Sequence, residues 1–583
     1  MTLGILVGAV LCWPATPGRA ATWYVRPEAA AGAYGREDGT SYDNAFNGLT
    51  IGDRSKGGLV WGTGGIKAGD TLYVCGNHWL KISKVADSFW HGRIGFPLNG
   101  TSSAPITIRG DAAQEKGTIW GYGRNTSLSD SWSGPDSNGV YKIARDLGDF
   151  IAQDVSLAGK GTVLLTQMSA TTWTGNYGAF YRSNGYTYVK TTDGKSPAGR
   201  LYTGDIAYRL WFLRNSYINF KNIGFPGYLA DIDRDENGEL IATLPRTNHV
   251  TFDGCAFRYG TVTFFVMFDG NNYWKFNNCT FEYAPNAIYT YGRMGGVGAS
   301  YMQVSGSTFK HLGVLMFPHQ DAHGIGIQRG EGHVFEHNSF EDTGTAIEFW
   351  TSVGNPMKNM TVRYNFIKNP RIKAITEGNG ITISGDNGDT LGERTGFKIC
   401  GNIVVGAEGN GISSNNPDPI TVTNNVLVNC ANGIRTKTNS GIVQGTVKNN
   451  IVLNPRTTFV VRNGSGSSMS WDYNIYYSAT GNPATLWAPW GSFSAWKSAM
   501  SADSHGQQGD PKLVSSAPSK ATDCMPQAGS RAIDAGTLVG ISNDFAGTAI
   551  PLGKAPDIGA YEYNANSTST TPRNAARDWN MYQ

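Results

Sequence analysis

The sequence predicts an all-β fold: a single-stranded right-handed parallel β-helix (solenoid) of about ten or more coils, with an N-terminal β insertion. Three observations point to it. One short strand–turn–strand unit recurs through the middle of the chain. A second, simpler strand signature recurs between those units. The composition also opposes long helices, since the 583 residues include 76 Gly and only 16% are charged, whereas helices favour Ala, Leu, Glu and Lys.

The main unit aligns Phe220-Lys221-Asn222-Ile223, Phe252-Asp253-Gly254-Cys255, Phe276-Asn277-Asn278-Cys279 and Val304-Ser305-Gly306-Ser307. It continues through Phe335 to Asn338, Val362 to Asn365, Ile399 to Asn402, Val422 to Asn425, Val447 to Asn450 and Trp471 to Asn474. Steps between the last aligned positions are 32, 24, 28, 31, 27, 37, 23, 25 and 24 residues. The short steps suit one coil of three strands and three turns, and the longer ones leave room for inserted loops. Asn338, Asn365, Asn402, Asn425, Asn450 and Asn474 share one column. Equivalent residues of stacked coils lie ~4.8 Å apart, so these amides are expected to hydrogen-bond up the stack. Cys255 and Cys279 occupy the same column.

The second signature is a small residue, then an apolar, a variable and an apolar one. Ala287-Ile288-Tyr289, Gly324 to Ile327, Ala346 to Phe349, Gly380 to Ile383, Gly411-Ile412-Ser413 and Gly433-Ile434-Arg435 follow it. Alternation turns the Ile residues inward and the variable residues outward, so this strand builds one long outer face.

The expected organisation is a signal peptide at 1–20, N-terminal coils at 21–222 and a regular β-helix at 223–478. A C-terminal capping region (479–563) and a loose tail (564–583), rich in Ser, Thr and Asn, complete it. The β insertion is placed at about 141–197 from the hairpin dipeptides Asn184-Gly185 and Asp193-Gly194. Leu3 to Trp13 is apolar but too short to span a bilayer, and small residues follow it, which predicts export rather than membrane anchoring. A net charge of +3 argues against nucleic acid as a partner. Without Cys12, six cysteines remain and none forms a CxxC pair; buried free thiols are expected. A monomer is expected.

With these residues in view, the chain resembles the pectate-lyase-like superfamily of secreted right-handed parallel β-helix proteins. Thr22-Trp23-Tyr24-Val25, Ala68 to Val74 and the strand Ala104-Pro105-Ile106-Thr107-Ile108-Arg109-Gly110 are similar to its first coils. Trp496 to Met500, Gly509 to Leu513 and Ala555 to Tyr563 resemble a terminal module frequent in its bacterial members. The resemblance covers nearly the whole chain. It implies a carbohydrate-active protein with a polysaccharide as partner, and leaves the reaction open because this fold carries lyases, hydrolases, epimerases and adhesins.

The candidate site lies on the outer face of the second strand. Aromatic and ionisable residues mix there: Tyr289 and Tyr291, Gln328, Glu348 and Trp350, Thr382 and Ser384, Ser413 and Asn415, then Arg435 and Lys437. His319, Asp321 and His323 precede the Gln328 strand, with Arg293 and Arg329 close by. Rings that stack on sugars beside charged groups suit a glycan groove.

Elimination from a uronate needs a base next to the carboxylate and positive charge on it. His323 is the candidate base, with Asp321 orienting it. Arg293, Arg329 or Arg435 would hold the carboxylate, and Tyr289 or Tyr291 would protonate the leaving oxygen. His319, Gln328, Trp350 and Lys437 would bind substrate. The expected function is therefore a secreted lyase on an acidic polysaccharide. A β-helix glycoside hydrolase is the close alternative, with Asp321 and Glu348 as the carboxyl pair about 5 to 10 Å apart. Asp321-Ala322-His323-Gly324-Ile325 also resembles the GHG motif of polygalacturonases, and Arg371 to Lys373 and Arg435 to Lys437 resemble parts of their RIK motif. The NTD motif and adjacent Asp pair of those enzymes have no counterpart. Pro318-His319 and His323-Gly324-Ile325 resemble the DPH region of alginate C5-epimerases, with Phe317 in place of the Asp. A non-catalytic adhesin is the alternative of another class. The only cofactor suggested is calcium, at Asp231, Asp233 and Asp235.

Overall fold

The computed structural model describes residues 20–565 except 50–57, 81–92, 125–130, 148–150, 155–161, 165, 168–177, 204–208, 228, 234–245, 259, 261–262, 292–297, 314–321, 352–355, 374–375, 386–393, 416–417, 437–443, 463–467 and 482–483. The expected signal peptide and most of the tail therefore lie outside the described residues. No described helix is long and apolar enough to cross a membrane.

The repeat folds into coils of three strands, and each strand joins its own largely parallel sheet. Among the described residues these sheets hold 14, 16 and 11 strands. The aligned apolar positions meet in register in the first sheet. Phe220 pairs with Phe252, then come Phe276, Val304, Phe335, Val362, Ile399, Val422, Val447 and Trp471. Trp23, Leu72 and Ile108 extend the same column toward the N-terminus. Period-2 alternation turns this column into the barrel, where the rings stack. Phe225, Phe257, Phe281, Phe309 and Phe340 do the same in the second sheet, with centroids 5.1, 5.2, 4.8 and 4.5 Å apart.

The six asparagines form one continuous buried ladder at the turn after the first-sheet strand. From Asn338 to Asn474, the main-chain N–H and Nδ2 of each donate to Oδ1 of the next at 2.9–3.1 Å. Ser307 N–H joins at one end, donating to Asn338 Oδ1 at 2.9 Å. Asp503 closes the other: it accepts from Asn474 N and Nδ2 at 3.2 and 3.3 Å and from the Tyr476 hydroxyl at 2.7 Å. Cys255 and Cys279 continue the column as buried free thiols, and the other described cysteines are buried and free as well.

Asp503 gives the ladder a pH dependence. It is fully buried, and burial pushes its carboxyl up to about 6 against the hydrogen bonds it accepts. The folded chain therefore holds this proton more tightly than the unfolded chain. Its stabilising contribution is complete below pH ~4, where both states are protonated, and is lost as pH rises through about 6. Asp503→Asn keeps an acceptor for Asn474 and removes the titration. From pH 4.5 to 7 the variant is expected to gain up to ~2–3 kcal/mol relative to wild type in denaturant unfolding. Parallel pH profiles for the two proteins would contradict this.

The C-terminal end and one flank are covered. The helix Phe493–Met500, capped by Ser492 Oγ accepting from Ala495 N at 3.1 Å, places Trp496 against Trp487 across the C-terminal end of the core. Ile403–Val405, Val426–Val428 and Ile451–Leu453 are apolar at all three positions, because their outward residues are buried too. Leu513, Phe545, Ile558 and Tyr561 of the capping region pack on that outer face, and Asn449 Nδ2 pins it by donating to Thr537 O at 2.7 Å.

The N-terminal insertion contains the antiparallel hairpin Ala179–Ser183 and Tyr186–Lys190. Asn184 and Gly185 turn it with φ of 51° and 78°, the left-handed pair a two-residue hairpin requires. Ile151–Asp154 and Leu201–Thr203 add antiparallel strands to the second sheet.

Candidate active site

The second-strand signature forms the third sheet. Ile288, Ile325, Ile347, Ile381, Ile412 and Ile434 stack inward in register. The variable position between them gives an outward column in the order Tyr289, Gly326, Glu348, Thr382, Ser413 and Arg435. A pocket of about 480 Å³ opens along this column.

At one end His323 Nε2 is hydrogen-bonded to Glu348 Oε2. His323 is almost wholly buried and Glu348 is partly open, with side chains 4% and 17% exposed. The other Glu348 oxygen accepts from Ser384 Oγ at 2.7 Å, and the Ser384 carbonyl accepts from buried Arg394 at 3.1 Å. Burial pushes the Glu348 carboxyl up, but the charge and hydrogen bond of His323, with the bond from Ser384, outweigh it and hold it below the usual glutamate range. The main-chain N–H of His323 donates to Asn286 Oδ1 at 2.6 Å.

Tyr289 lies parallel to the His323 ring, with centroids 6.2 Å apart and planes at 11°. Its hydroxyl accepts from Gln328 Nε2. Gly326 makes this arrangement possible. A Cβ there would meet Tyr289 Cδ2 at 2.7 Å and His323 Nδ1 at 3.1 Å.

His323, Glu348, Tyr289, Gln328, Trp350 and Arg435 thus line one pocket, as do Thr382, Ser384, Ser413 and Asn415. Arg435 directs its guanidinium to Ser413 Oγ, 3.4 Å away. Other expectations need correction. Arg329 does not bind substrate in this pocket: its side chain is fully buried and faces Asp269 at 3.7 Å. Tyr291 is 47% exposed but lies outside the pocket lining, edge-on to Phe268. Asp233 does not fit a calcium loop, because its oxygens already accept from Arg214 N, Thr247 N and Oγ1, and Asn271 Nδ2. Asp235, Arg293, His319, Asp321 and Lys437, and the side chain of Asp231, lie outside the described residues. No three His, Cys, Asp or Glu side chains cluster as metal ligands among the described residues.

The sequence reading missed Glu377 and Asn379, which complete the pocket wall. Asn379 Nδ2 donates to Glu377 Oε2 at 3.0 Å. Its Oδ1 accepts from Asn410 N and Nδ2 at 2.7 and 2.9 Å, and Asn432 donates to Asn410 at 3.1 Å. This second, shorter ladder had a sequence signal, the triplet Asn-Gly-Ile at Asn379, Asn410 and Asn432.

The family model "Right handed beta helix region" matches residues 231–367 and 265–476. Solved structures similar to this chain include a pectate lyase, with 14% identity, TM-score 0.45, and 93% of this chain and 96% of that one covered. Another is a lacto-N-biosidase from Eubacterium ramulus, with 10% identity, TM-score 0.38, and coverage of 79% and 64%. A polysaccharide lyase from Pseudopedobacter saltans has 12% identity, TM-score 0.39, and coverage of 76% and 89%. No curated protein matches the chain by sequence.

Proposed function

We propose that this right-handed β-helix chain is a carbohydrate-active enzyme, a lyase that cleaves an acidic polysaccharide by β-elimination. The observation that carries this reading is the His323–Glu348 pair in a pocket that also holds Tyr289 and Arg435. In the proposed reaction His323 takes the proton α to the uronate carboxylate. The C–H electron pair becomes the ring double bond, the C–O bond to the next sugar breaks, and the departing oxygen takes a proton from the Tyr289 hydroxyl. Glu348 orients the imidazole and stabilises the imidazolium that forms. Gln328 positions the Tyr289 hydroxyl. Arg435 supplies positive charge along the groove for an anionic chain.

Hydrolysis is the second reading, favoured by Glu377 as another carboxyl on the pocket wall. It needs one carboxyl kept protonated as the acid. Glu348 is held ionised, which suits the base or nucleophile of such a pair.

Incubation with a panel of uronate-containing and neutral glycans tests the two. Elimination is expected to give the ultraviolet absorbance of an unsaturated uronate on an acidic substrate. New reducing ends without that absorbance would overturn it in favour of hydrolysis, and no change on any acidic glycan would sink the lyase reading.

Gly326→Ala probes the geometry of the pair. The added methyl wedges between Tyr289 and His323, on a strand position that faces out of the barrel. Activity is expected to fall at least ~10²-fold, with the thermal midpoint nearly unchanged. Full activity in this variant would mean that the ring-to-ring spacing is irrelevant to turnover.

A further inference from the structure

The groove has a ruler built into it. Its outward column advances one strand spacing per residue, ~4.8 Å, close to the length of one pyranose unit. Glu348, Thr382, Ser413 and Arg435 are consecutive positions of that column. The Arg435 guanidinium leans back to Ser413 Oγ at 3.4 Å, so its charge sits over the Ser413 position, two spacings or ~10 Å from Glu348. That is too far to touch a carboxylate on the sugar ring beside His323. Among the described residues, Arg435 is the only Lys or Arg that lines the pocket. Between the two ends lie only short polar side chains, Thr382 and Ser413, which leave the floor open.

We infer that Arg435, with Ser413, forms an anionic subsite that binds the carboxylate of a uronate unit two to three positions along the chain from the one that reacts. This rests on the acidic-glycan reading above and adds that recognition and chemistry occur on different sugar units. A guanidinium holds a carboxylate by two parallel hydrogen bonds, a geometry that lysine cannot reproduce. The enzyme therefore selects runs of acidic sugars rather than isolated ones, and short oligomers miss the contact.

The test compares wild type, Arg435→Ala and Arg435→Lys on uronate oligosaccharides of increasing length. On oligomers long enough to reach both positions, Arg435→Ala is expected to raise KM at least ~10-fold while kcat falls less than ~3-fold. Arg435→Lys should recover part of the loss. The KM penalty of Arg435→Ala should shrink as the oligomer shortens and be smallest on disaccharides, which cannot span both positions. A kcat loss of ~10²-fold or more at unchanged KM would place the guanidinium on the reacting unit and overturn the inference, as would equal KM values at every length. Calorimetric binding of a uronate hexasaccharide in a His323→Ala background keeps the two readings apart, since it needs no turnover. An Arg435-dependent loss of affinity of ~10-fold, with no cleavage of any acidic glycan by wild type, would retain the subsite and discard the elimination. Binding indifferent to Arg435, or no binding of the oligouronate at all, would discard the subsite.

Discussion

His323→Ala is expected to lower kcat on the cleaved glycan by ~10³- to 10⁴-fold, with a much smaller change in KM. Removal of a positioned general base costs about 10²–10⁴, and here Tyr289, the proposed donor to the leaving oxygen, also loses the ring it lies against. Glu348→Gln is the sharper companion. Its amide oxygen still accepts from His323 and its shape is retained, but the charge that stabilises the imidazolium is gone. A loss of ~10²- to 10³-fold is expected. Because the two side chains act as one unit, the double variant should be no worse than His323→Ala alone. Removing one member of a mostly buried pair leaves the other poorly compensated, so thermal melts accompany the kinetics; a folded, inactive Glu348→Gln protein is the decisive form. Turnover within ~3-fold of wild type in a folded His323→Ala protein would refute the assignment of the base.

Why the sequence exposed some of this and concealed the rest follows from how a solenoid stores information. Each coil repeats the same environment, so Phe220, Phe252 and Phe276 reappear at the same register and the barrel interior is legible without a structure. Alternation then tells which residues face out, and it separated Tyr289, Glu348 and Arg435 from their Ile neighbours. Distances within the groove are less legible, because they depend on where side chains lean. His323 precedes the alternating positions, and residue types alone paired it with Asp321, its sequence neighbour. The described partner is Glu348, one coil away, which the strand register brings within a hydrogen bond. Arg329 was misjudged for a related reason. Its position just after an outward strand suggested solvent, yet the chain turns there and buries the guanidinium against Asp269. Glu377 ends the two-residue strand Thr376–Glu377 and Asn379 precedes the next strand, so no alternation marks the direction either faces. The Asn-Gly-Ile triplet marked them instead.

The stability of the groove should fail first where the ladder is cut. Asn402 is fully buried. Its Oδ1 accepts from Asn365 N and Nδ2 at 3.0 and 2.9 Å, and its Nδ2 donates to Val362 O at 2.9 Å and to Asn425 Oδ1 at 3.1 Å. Asn402→Ala removes all of these at once, and water cannot replace them inside the coil. Each buried polar group left unsatisfied costs ~1–3 kcal/mol, so a total of ~3–5 kcal/mol is expected in denaturant unfolding. A loss below ~1 kcal/mol would show that the amides are ornamental and that apolar stacking alone sets the coil spacing. The position makes the variant informative about function as well. In a solenoid each coil is held mainly by its neighbours, and residue 402 lies between the Ile381–Gly385 strand, which carries Thr382, and the Asn410–Ser414 strand, which carries Ser413. A cut there loosens the spacing between the His323–Glu348 pair and Arg435 without touching either. At a temperature where the variant remains folded, kcat on short acidic oligomers should persist while KM on long ones rises. The opposite pattern, lost kcat with intact KM, would mean that the ladder supports the chemistry directly rather than the ruler that measures substrate against it.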